Sequence, residues 1–351
     1  MPKRYDEGER THLMLRDALA AVKIPPQNLL VAVLGMGLGA IFLFLLLDLA
    51  GAPAAQAGYL SIMLLIAPAR RLDPGWRAVA GIWAVCVAAL GFYTGTLGWW
   101  AVLGALVVVC LVQGLFRMGS VSAMTRAPAN LVVFAGVSSS GSDAGFGQVL
   151  LGAAAAVTLV LGLGAFLSSD RQKSVEFPPL GRRLVHGLML AGGSLVILMV
   201  SDLFQLPHAS WAILSFCLIL SVDSTDRNQR MKHRLAGTLA GAIAATLFSL
   251  IPAPGPTIAL VFCAFLSIAY IRSGKYALFV TFLTPAVLLG TVSTQGTYLV
   301  AAERIAAILL SVLVALAFTV GAQGLQMLLE RRDSVAVPAA TSPETTTELT
   351  D

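Results

Sequence analysis

Long apolar segments alternate with short polar connections along most of the chain, which is the pattern of membrane-spanning helices. Six apolar segments fall in the first half, at about residues 29–50, 54–68, 77–94, 97–116, 120–137 and 146–167. Six more follow, at about residues 184–203, 208–222, 234–252, 256–271, 275–293 and 301–328. The pattern therefore predicts an all-α membrane protein of about twelve transmembrane helices.

Basic residues lie almost entirely on one side of this predicted bundle. With the N-terminus in the cytoplasm, the outer connections lack lysine and arginine, and all but one of the 23 basic residues fall on the inner side. The exception is Arg304. The positive-inside rule requires such one-sided placement of a twelve-span protein. We therefore expect a multi-pass protein of the bacterial inner membrane with both termini in the cytoplasm.

Composition agrees with a membrane protein and excludes other classes. The chain is 57% hydrophobic and 12% charged, with a mean hydropathy of +0.84, whereas soluble domains carry about a quarter charged residues. The net charge is +5, but the basic residues lie between apolar segments and form no predicted surface patch, so we expect no nucleic-acid partner. The four cysteines form no CxxC pair, so neither a metal site nor a cofactor is predicted. Because ATP-binding and hydrolase motifs are absent, an ATP-driven pump or an intramembrane enzyme is not expected.

The chain contains an internal repeat. "DLAGAP" at residues 48–53 and "DLFQLP" at residues 202–207 each follow an apolar segment, and a similar offset places Arg77 on Arg234. Because each half has an even number of spans, the halves are predicted to be parallel repeats. The expected domains are a cytoplasmic segment 1–28, a six-helix repeat 29–167, a cytoplasmic linker 168–183, a second six-helix repeat 184–328 and a disordered cytoplasmic tail 329–351.

Two pairs of glycines are spaced as GxxxG within apolar segments, namely Gly35 with Gly39 and Gly237 with Gly241. Small residues at this spacing let helix backbones approach closely in membranes. We therefore predict close helix packing at both pairs.

The stretch that begins at residue 208, "HASWAILSFCLILSVDSTDRNQRMKHRLAGTLAGA", combines a short span containing Trp211, a polar inner loop and the pattern Arg-x-x-Gly-Thr-x-x-Gly from Arg234 to Gly241. Residues 200–325 or so resemble the fusaric-acid-resistance and aromatic-acid-exporter superfamily of bacterial inner-membrane proteins. The resemblance implies efflux of aromatic carboxylic acids. Many members carry a large soluble domain, whereas here only a short linker joins the halves.

Several polar residues inside the predicted bundle are candidates for substrate binding. Arg126 and Asn130 lie one turn apart in the fifth predicted span, where a guanidinium could pair with a substrate carboxylate and Thr284 could face it from the other half. Trp211 belongs to the family-like stretch, and Arg304 is an anion-attracting or gating candidate on the outer side. The alternatives are that Arg126 reaches the inner surface as a snorkelling side chain and that Arg304 is an interfacial anchor.

Four residues are candidates for proton coupling. Asp48 and Asp202 end apolar segments on the outer side, and His208 accompanies only the second copy, so Asp202 is expected to carry the proton-linked role. Glu303 and its neighbour Arg304 open the last span, and adjacent helical residues point about 100° apart, so each needs a separate partner. The alternative is that both aspartates are hydrated helix ends. Arg234 is expected to anchor a helix start at lipid phosphates.

These observations favour a secondary exporter of small organic, aromatic carboxylates, driven by the proton gradient. An organic-anion channel and a non-transporting membrane scaffold of an envelope complex stay open as alternatives. The expected partners are membrane lipid and a small organic anion. A periplasmic adaptor of the membrane-fusion type and association into a homo-oligomer are left open.

Overall fold

The computed structural model describes residues 24–336 except 119–120, 123, 140–144, 168–176, 207, 223 and 291–296. This part of the chain forms twelve α-helices and one short β-hairpin. The helices of the first half are α1 (Pro26–Ala50), α2 (Ala52–Arg71), α3 (Pro74–Leu97), α4 (Trp99–Leu115), α5 (Ala127–Ser139) and α6 (Phe146–Leu167). Those of the second half are α7 (Leu180–Leu203), α8 (Ala209–Leu220), α9 (Ser224–Ser249), α10 (Gly255–Arg272), α11 (Tyr276–Gly290) and α12 (Thr297–Ala336).

Glycine and proline set several helix ends. Gly51 (φ 84°) and Gly98 (φ 96°) separate α1 from α2 and α3 from α4 with single residues in a conformation that side chains disfavour. Pro26 and Pro74 occupy the first positions of α1 and α3, where a missing N–H costs no helical hydrogen bond. These breaks are the local reason why the first four helices follow one another almost without loops.

Two of the predicted helix starts are wrong. The fifth apolar segment was predicted to begin at residue 120, but residues 117–122 include an antiparallel hairpin of β1 (Arg117–Met118) and β2 (Val121–Ser122), and α5 begins only at Ala127. The ninth was predicted to begin at residue 234, but α9 begins at Ser224 because its first turns are polar residues that still form a helix. Consequently Arg126 precedes its helix, whereas Arg234 lies well inside one.

The C-terminal helix is longer than predicted. Helix α12 continues to Ala336, eight residues beyond the predicted end at residue 328, so the first part of the predicted disordered tail is helical. The rest of that predicted tail, residues 337–351, lies outside the described residues, as does most of the predicted N-terminal segment.

Helix contacts follow the same scheme in both halves. In the first half α2 packs on α6 and α3 packs on α5, and in the second half α8 packs on α12 and α9 packs on α11. Between the halves, α4 contacts α7 and α1 contacts α10, so the fourth helix of each half meets the first helix of the other. The short helices α5 and α8 also contact each other, which is a further contact between the halves.

Six helices in the described part are long and apolar enough to cross a membrane. They are α1, α2, α3, α6, α7 and α12. Five others, α4, α5, α8, α10 and α11, are apolar but shorter. Large apolar side chains such as Leu34, Phe44 and Ile258 are exposed on the outside of the bundle, as expected for a surface that faces lipid.

Only one of the two predicted glycine pairs marks a contact within the chain. A Cβ built at Gly237 would lie 2.9 Å from the Ala277 carbonyl oxygen, and one at Gly241 would lie 2.6 Å from that of Thr281, so both glycines let α9 approach α11. At Gly35 and Gly39 of α1 a Cβ would meet no atom within 4 Å. The prediction of close packing is confirmed for the pair in α9 and wrong, within this chain, for the pair in α1.

Candidate functional site

Three arginines from both halves converge inside the bundle. Arg126 lies in the turn before α5, Arg234 in α9 and Arg304 in α12, and we call these residues the arginine cluster. Arg234 is 1% exposed and Arg304 is 4% exposed. The positive charges of Arg126 and Arg234 both act on the Arg304 guanidinium, and the charge of Arg234 acts on Arg126. The predicted binding residues Arg126 and Arg304 are thus brought together, although the sequence places them on opposite sides of the predicted bundle.

The partners of the two buried arginines are neutral side chains of α8. The Arg304 guanidinium carbon lies 4.6 Å from the centroid of the Trp211 ring. The Arg234 Nη2 donates a hydrogen bond of 2.9 Å to the Ser215 hydroxyl oxygen. Neither partner carries a charge, so the positive charge of the cluster is not compensated by these contacts.

No carboxylate oxygen of the described residues lies within 4.0 Å of a guanidinium nitrogen of the arginine cluster. In addition, Arg234 Nε, Arg234 Nη1 and Arg304 Nε are buried without an acceptor among the described residues. Buried charges are normally paired because their desolvation costs several kcal/mol each, and N–H groups without an acceptor add to this cost. The arrangement therefore has the donors and the charge to bind an anion, with a carboxylate as a geometrically suitable group.

A second group of polar side chains lies beside the cluster, at the start of α8. His208 Nε2 is 3.8 Å from a Glu303 carboxylate oxygen, and its ring stacks on Trp211 with 4.1 Å between the centroids. His208 precedes α8 in a left-handed conformation, with φ of 61°. Partial burial lowers the pKa of His208; the charge of Arg304 acts in the same direction, and Glu303 opposes both. The expectation that Glu303 and Arg304 have separate partners is confirmed, since one contacts His208 and the other Trp211.

Asn130 and Thr284 are buried near helix contacts rather than joined to the arginines. The Asn130 Nδ2 donates to the Leu60 carbonyl oxygen of α2 at 2.9 Å, and the Thr284 hydroxyl donates to Val280 within α11 at 3.0 Å. Thr284 also faces Gly241, where α9 and α11 approach each other. These contacts account for both side chains in packing terms, and their binding of substrate stays a prediction.

The two repeated aspartates lie away from the cluster. Asp48 and Asp202 are exposed at the ends of α1 and α7, and neither carboxylate has a partner among the described residues. Arg304 contacts neither of them. Pro207, the proline of the second repeated stretch, lies outside the described residues. The proton-coupling role of Asp202 therefore stays a prediction.

Arg234 and Ser215 are the site residues that sequence reasoning missed. Arg234 was expected to contact lipid phosphates at a helix start, which is wrong because it is buried ten residues after the beginning of α9. A signal was present, since Arg234, Gly237, Thr238 and Gly241 recur at intervals that share one helix face. That face is the one that packs inward against α11.

The second half of the chain matches a known family. Residues 195–318 match the family model described as fusaric acid resistance protein-like. The match covers 124 of the 351 residues, so it is a similarity of this segment to that family. The fusaric acid resistance-like segment contains Arg234, Arg304, Trp211 and Ser215, whereas Arg126 lies outside it. Together with the membrane-length helices, the match identifies a multi-pass membrane protein and points to membrane transport or efflux in general. Comparison with curated proteins and with solved structures gave no significant match.

Proposed function

We propose that the protein is a secondary exporter of small aromatic carboxylates in a bacterial inner membrane, and that the carboxylate binds at the arginine cluster. The single observation that carries this proposal is that three positively charged guanidinium groups lie near enough to act on one another with no carboxylate partner among the described residues. The aromatic nature of the substrate rests on the family resemblance of the second half.

Electrostatics favours an anion as the missing partner of the cluster. Like charges in a buried site repel one another, and each guanidinium loses hydration on burial. An anion at the centre would offset both costs and accept hydrogen bonds from Arg234 Nε and Nη1 and from Arg304 Nε. Because Arg126 comes from the first half and the other two arginines from the second, such an anion would lie between the halves.

A site between two similar halves fits transport. The corresponding helix contacts in the two halves support an arrangement as parallel repeats, and the placement of basic residues supports twelve spans with both termini in the cytoplasm. Transporters built from repeats bind their substrates near the membrane midplane at the repeat interface. The contact between α5 and α8 brings the halves together beside Arg126 and Trp211.

Proton coupling is part of the proposal, and the His208–Glu303 contact is its best-placed structural candidate. Glu303 directly precedes Arg304 in the chain, and His208 stacks on Trp211, the ring that the Arg304 guanidinium contacts. A proton taken up there would change the charge next to the anion site, so we expect export to depend on the outer pH.

The test is uptake of radiolabelled benzoate by liposomes that contain the purified protein, with binding measured in parallel. Arg126→Gln should weaken benzoate binding about ten- to a hundredfold, since a charge-assisted hydrogen bond contributes roughly 1.5–3 kcal/mol. Arg182→Gln is the matched control, because Arg182 is exposed at the start of α7. Equal binding by the two variants would refute the site at the arginine cluster.

The same liposomes distinguish the alternatives. A transporter should show saturable uptake and exchange of labelled for unlabelled benzoate, whereas an anion channel should show voltage-driven flux without such exchange. A scaffold should show no benzoate flux at all.

A further inference from the structure

We infer that α8 is a positioning helix for the anion site, in which Trp211 holds the Arg304 guanidinium and Ser215 holds that of Arg234 without either side chain contacting the substrate. This inference deepens the proposed function, and the binding test of the inference rests on that function. Trp211 is thereby assigned to the orientation of an arginine and not to stacking on an aromatic substrate.

The spacing along α8 places both side chains on one face. Trp211 and Ser215 are four residues apart in a helix of 12 residues, so they lie one above the other. Helix α8 packs against both α9 and α12, which carry Arg234 and Arg304. One short helix therefore contacts both buried cations through neighbouring residues on the same face.

The contacts explain how buried arginines keep a fixed orientation without an acidic partner. A cation over an indole face is attracted by the negative face of the ring, and this attraction strengthens when water is excluded. Arg304 needs such a contact because its Nε has no acceptor among the described residues. The Ser215 hydroxyl accepts a hydrogen bond from Arg234 Nη2. The other two guanidinium nitrogens of Arg234, Nε and Nη1, have no acceptor among the described residues. A carboxylic acid at either position of α8 would instead neutralise a cation that the anion needs.

The indole is itself held in place. His208 stacks on Trp211 with an interplanar angle of 18°, and His208 in turn contacts Glu303, the residue before Arg304. The chain of contacts thus returns to α12 next to the guanidinium that Trp211 orients. With one aromatic neighbour already stacked on it and Arg304 lying over the ring, the indole has its partners within the chain.

Two matched ligands separate positioning from stacking. Binding of benzoate and of cyclohexanecarboxylate is measured on the full chain in detergent, for the wild type, for Trp211→Leu and for Trp211→Phe. If Trp211 positions Arg304, Trp211→Leu weakens both ligands by the same factor, about three- to thirtyfold, and Trp211→Phe restores part of the loss. A selective loss of benzoate binding would overturn the inference in favour of direct stacking. Trp83→Leu is the control, since no described cation lies over that ring.

A double-mutant cycle tests the same inference without any ligand. The midpoint of thermal unfolding is measured for Trp211→Leu, Arg304→Gln and the double variant. We expect the double variant to lose less stability than the two single variants together, because the contact that joins them can be lost only once. Additive losses would overturn the inference. If the wild type bound neither ligand, the proposed function would fail while this cycle still decided the positioning role.

Ser215 has its own pair of controls. Ser215→Ala should weaken binding of both ligands severalfold, whereas Ser215→Thr, which keeps the hydroxyl, should bind nearly as the wild type does. Ser61→Ala serves as the comparison, because Ser61 is a buried serine at the repeat-related position and its hydroxyl has no partner among the described residues. Equal effects of Ser215→Ala and Ser61→Ala would remove Ser215 from the positioning role.

Discussion

Arg77 and Arg234 occupy positions that the internal repeat aligns, yet their surroundings differ completely. Arg77 is half-buried and donates from Nε to the Leu72 carbonyl oxygen at 2.5 Å and from Nη1 to that of Gly164 at 2.9 Å. Arg234 is buried, and its only hydrogen bond among the described residues goes to Ser215. The first arginine joins three helices through backbone carbonyls, whereas the second keeps two nitrogens, Nε and Nη1, without an acceptor among the described residues.

The difference originates in where the two helices begin. Pro74 opens α3, so Arg77 lies in the first turn, where its charge opposes the helix dipole and backbone carbonyls compensate it. Helix α9 has no proline at the corresponding place and begins at Ser224, so the aligned arginine lies two turns deeper along its helix. One proline thus separates a structural arginine from a candidate binding arginine, which shows that a duplicated sequence need not give two equivalent sites.

The largest expected effect sharpens this contrast directly. Arg234→Gln should weaken benzoate binding about ten- to a hundredfold, while Arg77→Gln should leave binding unchanged and lower the melting temperature, since it removes two hydrogen bonds. Binding and thermal unfolding of both purified variants are the measurements. The contrast would be lost if Arg77→Gln weakened benzoate binding as much as Arg234→Gln.

A smaller effect is expected from the glycines on the face of Arg234. Gly241→Ala would place a methyl group 2.6 Å from the Thr281 carbonyl oxygen, so overpacking of about 1–3 kcal/mol should lower the melting temperature. The aligned residue in α3 is Ala84, so the first half has a buried methyl group at the corresponding position. Gly35→Ala is the control, because no atom lies within 4 Å of a Cβ there. A melting temperature for Gly241→Ala at or above that of Gly35→Ala would mean that α9 and α11 can separate without cost.

The smallest effect concerns pH. His208 corresponds to Ala54 in the first half, so only the second half titrates at this place. Because burial lowers the pKa of His208, the unfolded chain binds its proton first as the pH falls, and stability decreases from about pH 7 downwards. Melting temperatures between about pH 8 and 5 should therefore fall less steeply for His208→Gln than for the wild type.

Asp202→Asn provides the comparison for this measurement. Its carboxylate is exposed and without a described partner, so replacing it with an amide should leave the melting temperature near that of the wild type. A profile for His208→Gln as steep as that of the wild type would contradict the prediction for His208.

Apolar periodicity predicted the helices well and the depth of individual residues poorly. The predicted segments 29–50 and 146–167 differ from α1 and α6 by at most a few residues at each end. The starts of α5 and α9 could not be read from hydropathy, because the predicted start of the fifth segment falls in a hairpin and charged residues form the first turns of α9. Residue depth follows from helix starts, and for this reason Arg126 was placed too far into its helix and Arg234 too near an end.

Of the candidate site, the sequence predicted Arg126, Arg304 and Trp211 but not Arg234 or Ser215. A guanidinium in an apolar segment is costly, which made Arg126 and Arg304 visible in the sequence. Ser215 is one of many serines, and serines commonly bond to the backbone of their own helix, as Ser138 and Ser221 do. Only the packing of α8 against α9 distinguishes Ser215, and that packing is a tertiary property.

The brevity of α5 and α8 has an electrical consequence. These helices have 13 and 12 residues, so at 1.5 Å per residue they are about 20 and 18 Å long, whereas the hydrocarbon layer is about 30 Å thick. They meet beside the arginine cluster, and in a membrane the voltage falls mainly across the thinnest insulating layer. A monovalent anion that leaves a cell with a negative interior is stabilised by about 2.3 kcal/mol per 100 mV in total, and a thinner layer concentrates that change over a shorter path. For the proposed anion export, the resting voltage of the cell would therefore add a driving force to that of the proton gradient.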